Sequence, residues 1–223
     1  MTRAQSLFSK LNGSGILSAS GQINFNFMGT STCVRDRNVV GNIIQSWLEK
    51  WMSDNSIDFD KNLNTQESPD FYLNLKNKKV DLLEVKCFYK NANFDVGNFL
   101  GYCTELEKAP HKLNADYLIF SYDMSNVGDV TIKNIWLKKV WEICGPSGSH
   151  KIKVQAKKGQ IFNIRPISWY SNKTKFKPFN NELLFLRALN ATLQTGTGNH
   201  LYARGWLKTV QSGYETFTGK KLT

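Results

Sequence analysis

Asp70, Glu84 and Lys86 have types and a spacing that suit metal-assisted chemistry on a phosphate diester. Asp70 follows Pro69 at the end of a polar segment, and thirteen residues separate it from the run Glu84-Val85-Lys86. Side chains of a strand alternate between its two faces, so Glu84 and Lys86 are expected to point the same way. Two ionisable groups in an otherwise apolar strand are costly to bury. The pattern therefore predicts a bound partner, and a divalent cation would offset this cost.

The expected roles follow from the chemistry of each group. Asp70 and Glu84 offer the hard carboxylate oxygens that Mg²⁺ prefers, and waters, a phosphate oxygen and the Val85 carbonyl would complete the ligand set. A metal held there would acidify a bound water and offset the charge that develops on a phosphate. Lys86 would orient or help to deprotonate the attacking water. The sequence thus predicts Asp70, Glu84 and Lys86 as catalytic residues, Asp70, Glu84 and Val85 as metal ligands, and Mg²⁺ as the cofactor.

A hairpin of two short strands, residues 71–75 and 80–89, is expected to hold these groups. Apolar residues at helical spacing predict an amphipathic helix over residues 38–54, before the hairpin. After the hairpin, the pattern predicts a helix over 97–106 and an aromatic strand over 115–124. This order of elements predicts an α/β fold with a mixed central β-sheet that is flanked by helices.

The two ends of the chain differ from this centre. Residues 1–33 are rich in Ser, Gly and Asn, and we expect a loose arm with one strand near residues 22–28. A basic hairpin is predicted over residues 150–166. Two terminal helices are predicted, one after the capping residue Asn181 and one that begins near His200.

The arrangement Pro69-Asp70, thirteen residues, then Glu84-Val85-Lys86 resembles the PD-(D/E)xK motif of the restriction-endonuclease-like superfamily. The likeness covers residues 38–123, because in that superfamily the motif lies on a hairpin that follows one helix and precedes a helix and a strand. It implies a restriction-endonuclease-like core, with the remainder of the chain as a basic C-terminal elaboration.

The size of the chain, its lone catalytic core and its basic C-terminal part further resemble a small type II restriction endonuclease of the NgoBV and NlaIV group. This resemblance implies Mg²⁺-dependent cleavage of double-stranded DNA at a short palindrome by a homodimer, since a two-fold protein matches a two-fold site. Members of the group are associated with the target GGNNCC. The superfamily often supplies a further acid from the helix before the hairpin, which implies an accessory role for Glu49; a solvated helix face is the alternative.

The positive charge of the chain is concentrated in its last third. Residues 1–150 carry 16 Lys and Arg against 16 Asp and Glu, whereas residues 151–223 carry 13 against 2, so the net charge of +11 lies in the second segment. Such a segment attracts polyanions, of which nucleic acid is the commonest inside a cell. We expect DNA contacts there, with a solvated basic face as the alternative. The expected DNA-binding residues are Lys151, Lys153, Lys157, Lys158, Arg165, Asn172, Lys173, Lys175 and Lys177.

A chain of 223 residues is long enough for one domain with a sizeable core. We predict a single nuclease domain over residues 1–223, with a catalytic core at 38–145 and a basic, DNA-contacting and helical part at 146–223. The sequence has no apolar run of the roughly 18 to 20 residues that cross a bilayer, no signal peptide and no phosphate-binding loop. A bacterial cytoplasmic protein that uses neither a membrane nor a nucleotide cofactor is therefore expected.

Two other functions remain open on the sequence alone. A structure-selective nuclease of the same fold, such as a junction resolvase or a repair enzyme, would use the same catalytic residues. A non-catalytic DNA-binding protein would instead carry the carboxylates as structural groups.

Overall fold

The structure, a computed structural model, describes residues 1–64, 67–196 and 198–222. The chain folds into two compact units, each built from two stretches of sequence. The first unit comprises residues 1–92 and 116–138, and the second comprises residues 93–115 and 139–223. The single nuclease domain with a boundary near residue 145 stays a prediction, and the predicted catalytic residues all belong to the first unit.

The elements are numbered in chain order over the described residues. The α-helices are α1 (Arg3–Gly13), α2 (Val40–Asp54), α3 (Phe99–Lys108), α4 (Glu182–Gln194), α5 (Asn199–Ala203) and α6 (Trp206–Thr218). The strands are β1 (Ser20–Gln22), β2 (Asn24–Phe27), β3 (Thr30–Cys33), β4 (Asp60–Lys61), β5 (Phe71–Tyr72), β6 (Leu82–Tyr89), β7 (Gly97–Asn98), β8 (Asp116–Met124), β9 (Asp129–Lys139), β10 (Val154–Lys157) and β11 (Gln160–Ile164).

A six-stranded mixed sheet forms the centre of the first unit, in the order β1-β9-β8-β6-β5-β4. Strand β6 runs parallel to β8, whereas β5 is antiparallel to both β4 and β6. A parallel pair needs a long connection, and the chain between β6 and β8 supplies residues 93–115 of the second unit. The predicted fold class, an α/β fold with a mixed central sheet and flanking helices, is confirmed.

Helix α2 confirms the predicted amphipathic helix and covers this sheet with one apolar stripe. Its buried residues include Ile44 and Leu48, which share a core cluster with Leu83 and Val85 of β6. Each fully buried Leu or Ile stabilises the fold by about 1.5 to 3 kcal/mol relative to an exposed one. The burial of this stripe therefore sets which side of α2 faces β6.

The predicted hairpin is present as β5 and β6. Phe71 pairs with Leu83 and Tyr72 pairs with Leu82 in an antiparallel register. Continuing that register by one residue places Asp70 opposite Glu84. The pairing of these two strands therefore brings together two carboxylates that thirteen residues separate in the chain.

The expectation of a loose N-terminal arm is wrong for residues 3–13, which form α1, whereas the strand expected near residues 22–28 is present as β2. Ala4, Leu7 and Leu11 of α1 are buried in the core of the first unit. Thr2 caps this helix, since its side chain accepts a hydrogen bond from the Gln5 N–H and the Gln5 side chain accepts one from the Thr2 N–H. The apolar residues have helical spacing, but the many Ser, Gly and Asn residues around them conceal that pattern.

The second unit contains a three-stranded sheet, in the order β10-β11-β7, together with α3 to α6. Strands β10 and β11 confirm the predicted basic hairpin. The single terminal helix predicted from near His200 is instead two helices, α5 and α6. Gly205, between them, adopts a left-handed conformation with φ of 80°, which interrupts the helical backbone. Trp206 then starts α6, fully buried, and its indole N–H donates to the Cys103 carbonyl at 2.7 Å. Among the helices of the described residues, none is both long enough and apolar enough to cross a bilayer.

Candidate active site

Asp70 lies where β5 begins and is held by donors from two different elements. The backbone N–H of Val85, in β6, donates to Asp70 Oδ2 at 2.7 Å. The side-chain amide of Gln45, in α2, donates to Asp70 Oδ1 at 2.8 Å. Both carboxylate oxygens are therefore anchored, and each keeps a further lone pair for another partner.

Glu84 and Lys86 lie on one face of β6 and form an ion pair, as the alternation of the strand predicts. The Lys86 Nζ and Glu84 Oε1 atoms are 2.8 Å apart. Glu84 is only 6% exposed, and its other oxygen, Oε2, is buried with no hydrogen-bond partner among the described residues. A buried carboxylate oxygen without a partner is costly, so a ligand that binds this oxygen would stabilise the protein.

The pKa of the Asp70 carboxyl reflects its burial and the negative charge of the nearby Glu84. Burial raises the pKa of Asp70, and the nearby charge of Glu84 raises it further, to about 6. The Val85 N–H, the Lys86 ammonium and the Gln45 amide oppose this rise in the pKa. Two close carboxylates with one nearby ammonium leave an excess of negative charge, which is the condition that a divalent cation would relieve.

The donor set fits a divalent cation with an incomplete shell of protein ligands. No cluster of three or more His, Cys, Asp and Glu side chains suited to a metal is found in residues 1–64, 67–196 and 198–222. Asp70 and Glu84 thus offer two carboxylates, and water and phosphate oxygens would fill the remaining positions. This suits Mg²⁺, which usually retains several waters and is held by one or two carboxylates. The Val85 carbonyl as a further ligand stays a prediction.

Glu49, predicted as an accessory acid, lies one turn beyond Gln45 on α2. Its Oε2 is 2.6 Å from the Nζ of Lys61, and the Glu49 side chain is 34% exposed. Gln45, not Glu49, makes the contact with Asp70, and an accessory role for Glu49 stays a prediction. The sequence analysis did not predict the Gln45 contact, although the position of Gln45 between the buried Ile44 and Leu48 puts it at the border of the apolar stripe of α2.

Two of the predicted DNA-binding residues make contacts inside the second unit. Arg165 pairs with Asp95 at 3.0 Å and donates to the Asn93 carbonyl at 2.7 Å and to the Gln155 side chain at 2.6 Å. Lys153 donates to a backbone carbonyl, that of Pro166, at 2.9 Å, and burial lowers its pKa. Both side chains therefore tie the β10–β11 hairpin to neighbouring segments.

The other predicted DNA-binding residues are exposed. Lys157 ends β10, and Lys158 lies in the turn with a positive φ of 50°. The exposed members of the set are Lys151, Lys157, Lys158, Asn172, Lys173, Lys175 and Lys177. Their exposure leaves them available to a phosphate backbone, and their part in DNA binding stays a prediction.

Comparison with known proteins gives one family and two curated relatives of the same class. The family model of the NgoBV restriction endonuclease matches residues 1–223. The type II restriction enzyme NlaIV of Neisseria lactamica is 41% identical over 224 residues, which cover 99% of this chain and 92% of the relative. The type II restriction enzyme NgoBV of Neisseria gonorrhoeae is 43% identical over 158 residues, which cover 70% of this chain and 90% of the relative.

A solved structure agrees with these sequence matches. The NlaIV restriction endonuclease matches with a TM-score of 0.92 and 39% sequence identity, over 100% of this chain and 92% of that chain. The resemblance to the NgoBV and NlaIV group is thereby confirmed, and enzymes of this class bind double-stranded DNA and generally use divalent metal ions. The chain belongs to the NgoBV restriction endonuclease family and is a type II site-specific deoxyribonuclease.

Proposed function

We propose that this enzyme hydrolyses phosphodiester bonds of double-stranded DNA at a short palindromic sequence, with Mg²⁺, through Asp70, Glu84 and Lys86. The observation that carries the proposal is the buried Oε2 of Glu84, which has no hydrogen-bond partner among the described residues and belongs to a carboxylate beside both Lys86 and Asp70. A purely structural role would leave this oxygen unsatisfied at a cost of about 1 to 3 kcal/mol or more.

Asp70 and Glu84 hold the cation in this proposal. When bound there, Mg²⁺ would lower the pKa of a bound water and offset the charge that develops on the phosphate. The Val85 N–H and the Gln45 amide keep the Asp70 carboxylate from turning away. Glu84 contributes the oxygen that is not engaged by Lys86.

Lys86 orients the attacking water and stabilises the charge that develops on the phosphate. Its pairing with Glu84 at 2.8 Å holds the ammonium within the site. Only about a fifth of the Lys86 side chain is exposed, and an ammonium with little access to water acts more strongly on a nearby anion than an exposed one. The ion pair and the low exposure of Lys86 support its proposed role as the positive charge that acts on the scissile phosphate.

A homodimer would place two such sites on the two strands of a palindrome. The exposed lysines of the second unit hold the phosphate backbone in this proposal, which gives affinity without sequence preference. The resemblance to the NgoBV and NlaIV group makes GGNNCC the first sequence to test.

The test compares two linear DNA duplexes that differ only in one GGNNCC site, with Mg²⁺ or with EDTA. We expect the wild type to cut only the duplex with the site, into two discrete fragments, and only with Mg²⁺. Asp70→Asn and Lys86→Ala should lose cleavage by at least about a hundredfold, whereas Lys50→Ala, an exposed change on α2, should cut as the wild type does. Cleavage by Asp70→Asn at the wild-type rate would refute the catalytic assignment.

Cleavage of both duplexes at one shared position would keep the mechanism but show a different target. Cleavage of branched DNA alone would instead favour a structure-selective specificity.

A further inference from the structure

Gln45 is a neutral residue in contact with the carboxylate of a proposed metal ligand. We propose that Gln45 is a positioning residue for the reaction: its amide fixes the Asp70 carboxylate so that Asp70 and Glu84 can hold one divalent cation together. This inference rests on the proposed function, because it takes Asp70 and Glu84 as the metal ligands.

The packing of α2 against the sheet determines the direction in which the Gln45 side chain points. Ile44 and Leu48 are buried in the core, which fixes the rotation of the helix about its axis. One turn before Gln45, the carbonyl of Gly41 lies 3.8 Å from the sulfur of Cys87, in β6. A Cβ atom at Gly41 would lie 3.5 Å from the Cβ of Cys87, so the helix backbone runs close to the strand at this point. Gln45 therefore faces the end of the hairpin at which Asp70 lies.

The two donors to Asp70 come from elements that are rigid for separate reasons. The Val85 N–H is fixed by the strand, and the Gln45 amide is fixed by the helix. Together they restrain rotation of the carboxylate, because turning it would break both hydrogen bonds. With only the Val85 donor, Asp70 could pivot about one oxygen, and repulsion from Glu84 would favour such a movement.

The chemical type of residue 45 also matters. An amide can donate to Asp70, whereas an ionised acid in the same place can only accept. A carboxylate there would add a third negative charge next to Asp70 and Glu84, and it could not restrain Asp70 by donating a hydrogen bond. The neutral amide thus preserves a site of two carboxylates and one ammonium.

The test removes the amide while keeping the size of the side chain. Gln45→Met retains a similar length but cannot donate, and Gln45→Ala repeats the loss with a strong helix former. Lys50→Ala is the control on the same helix, since Lys50 is exposed and pairs with Asp54. Mg²⁺ binding to the DNA-free protein is measured by calorimetry, and the Mg²⁺ concentration for half-maximal cleavage is measured under single-turnover conditions.

We expect both Gln45 variants to need about 10 to 100 times more Mg²⁺ in both measurements, as is typical when a residue that orients a metal ligand is lost. The cleavage rate at saturating Mg²⁺ should fall by a smaller factor, and Lys50→Ala should titrate as the wild type does. A merely structural role of Gln45 would lower the unfolding temperature and the active fraction but leave the Mg²⁺ requirement unchanged, and that result would overturn the inference.

The failure of this inference is distinguishable from that of the proposed function. If Asp70→Asn cleaves DNA as the wild type does, the assignment of the metal ligands is wrong, whatever Gln45 does. If Asp70→Asn is inactive and the Gln45 variants bind Mg²⁺ as the wild type does, only the role of Gln45 is wrong.

Discussion

Asp70 couples the stability of the metal-free protein to pH. Burial and the charge of Glu84 raise its pKa from 3.8 to about 6. A carboxyl whose pKa is higher in the folded protein than in the unfolded chain stabilises the fold when it is protonated. Its favourable contribution is therefore complete below pH 3.8 and is lost as the pH rises through about 6.

We expect the free energy of unfolding of the wild type, relative to that of Asp70→Asn, to fall as the pH rises from 3.8 to about 6. The physical reason is that Asn cannot ionise, whereas the wild type must hold a second negative charge near Glu84. Denaturant unfolding of both proteins in EDTA across this window measures the difference. Parallel curves for the two proteins would show that the pKa of Asp70 is not raised.

At the scale of elements, α1 is part of the core of the first unit. Leu11 of this helix is fully buried, whereas Leu17, a few residues later, is 45% exposed. We expect Leu11→Ala to lower the free energy of unfolding by about 2 to 5 kcal/mol, because it leaves a cavity. Leu17→Ala is the matched control, and its effect should stay within about 0.5 kcal/mol. Urea unfolding distinguishes the two; equal small effects would mean that α1 is not packed on the core.

The β10–β11 hairpin and its flanking residues carry some basic side chains with partners inside the protein and others that are exposed to solvent. Lys157 and Lys158 are exposed near its turn, whereas Arg165 pairs with Asp95. We expect the double change of Lys157 and Lys158 to Ala to weaken duplex binding and to lower the salt dependence of log K by about 0.9 for each lost phosphate contact. Filter binding at several salt concentrations measures this slope.

A change at Arg165, next to the same hairpin, should affect stability, in contrast to the change of the two exposed lysines. Arg165→Ala should lower the unfolding temperature, since it removes an ion pair and leaves Gln155 and Asp95 without this partner. An unchanged salt slope in the double lysine variant would show that these lysines are only a solvated face.

At the scale of the whole molecule, the two strands of a palindrome are equivalent, so a homodimer with two equivalent active sites could cut both. We expect the complex with a duplex that carries the target to contain two protein chains. Its protein mass, after the mass of the DNA is subtracted, should then be twice the 25.4 kDa of one chain. Analytical ultracentrifugation with and without the target measures this. A complex of one chain per duplex that still cuts both strands would contradict the homodimer.

The sequence by itself determined which residues are grouped at the candidate site and which strand carries Glu84 and Lys86. The alternation of β6 placed Glu84 and Lys86 on one face, and the ion pair between them agrees with this local rule. The apolar period of α2 and the pattern of the β5–β6 hairpin were also readable, since both depend on residues that are close in the chain. Local periodicity therefore sufficed for the fold class and for the grouping of the candidate catalytic residues.

Only the tertiary structure decided that Gln45 contacts Asp70 and that Arg165 and Lys153, both predicted to bind DNA, have partners within the protein. Gln45 reaches Asp70 across 25 positions of sequence, and Arg165 reaches Asn93 across 72. Arg165 and Lys153 are indistinguishable by type from the exposed lysines around them, yet packing directs both to internal partners. The physical reason is that such contacts depend on how helices and strands pack, and packing is set by the burial of many apolar residues at once, which no local pattern records.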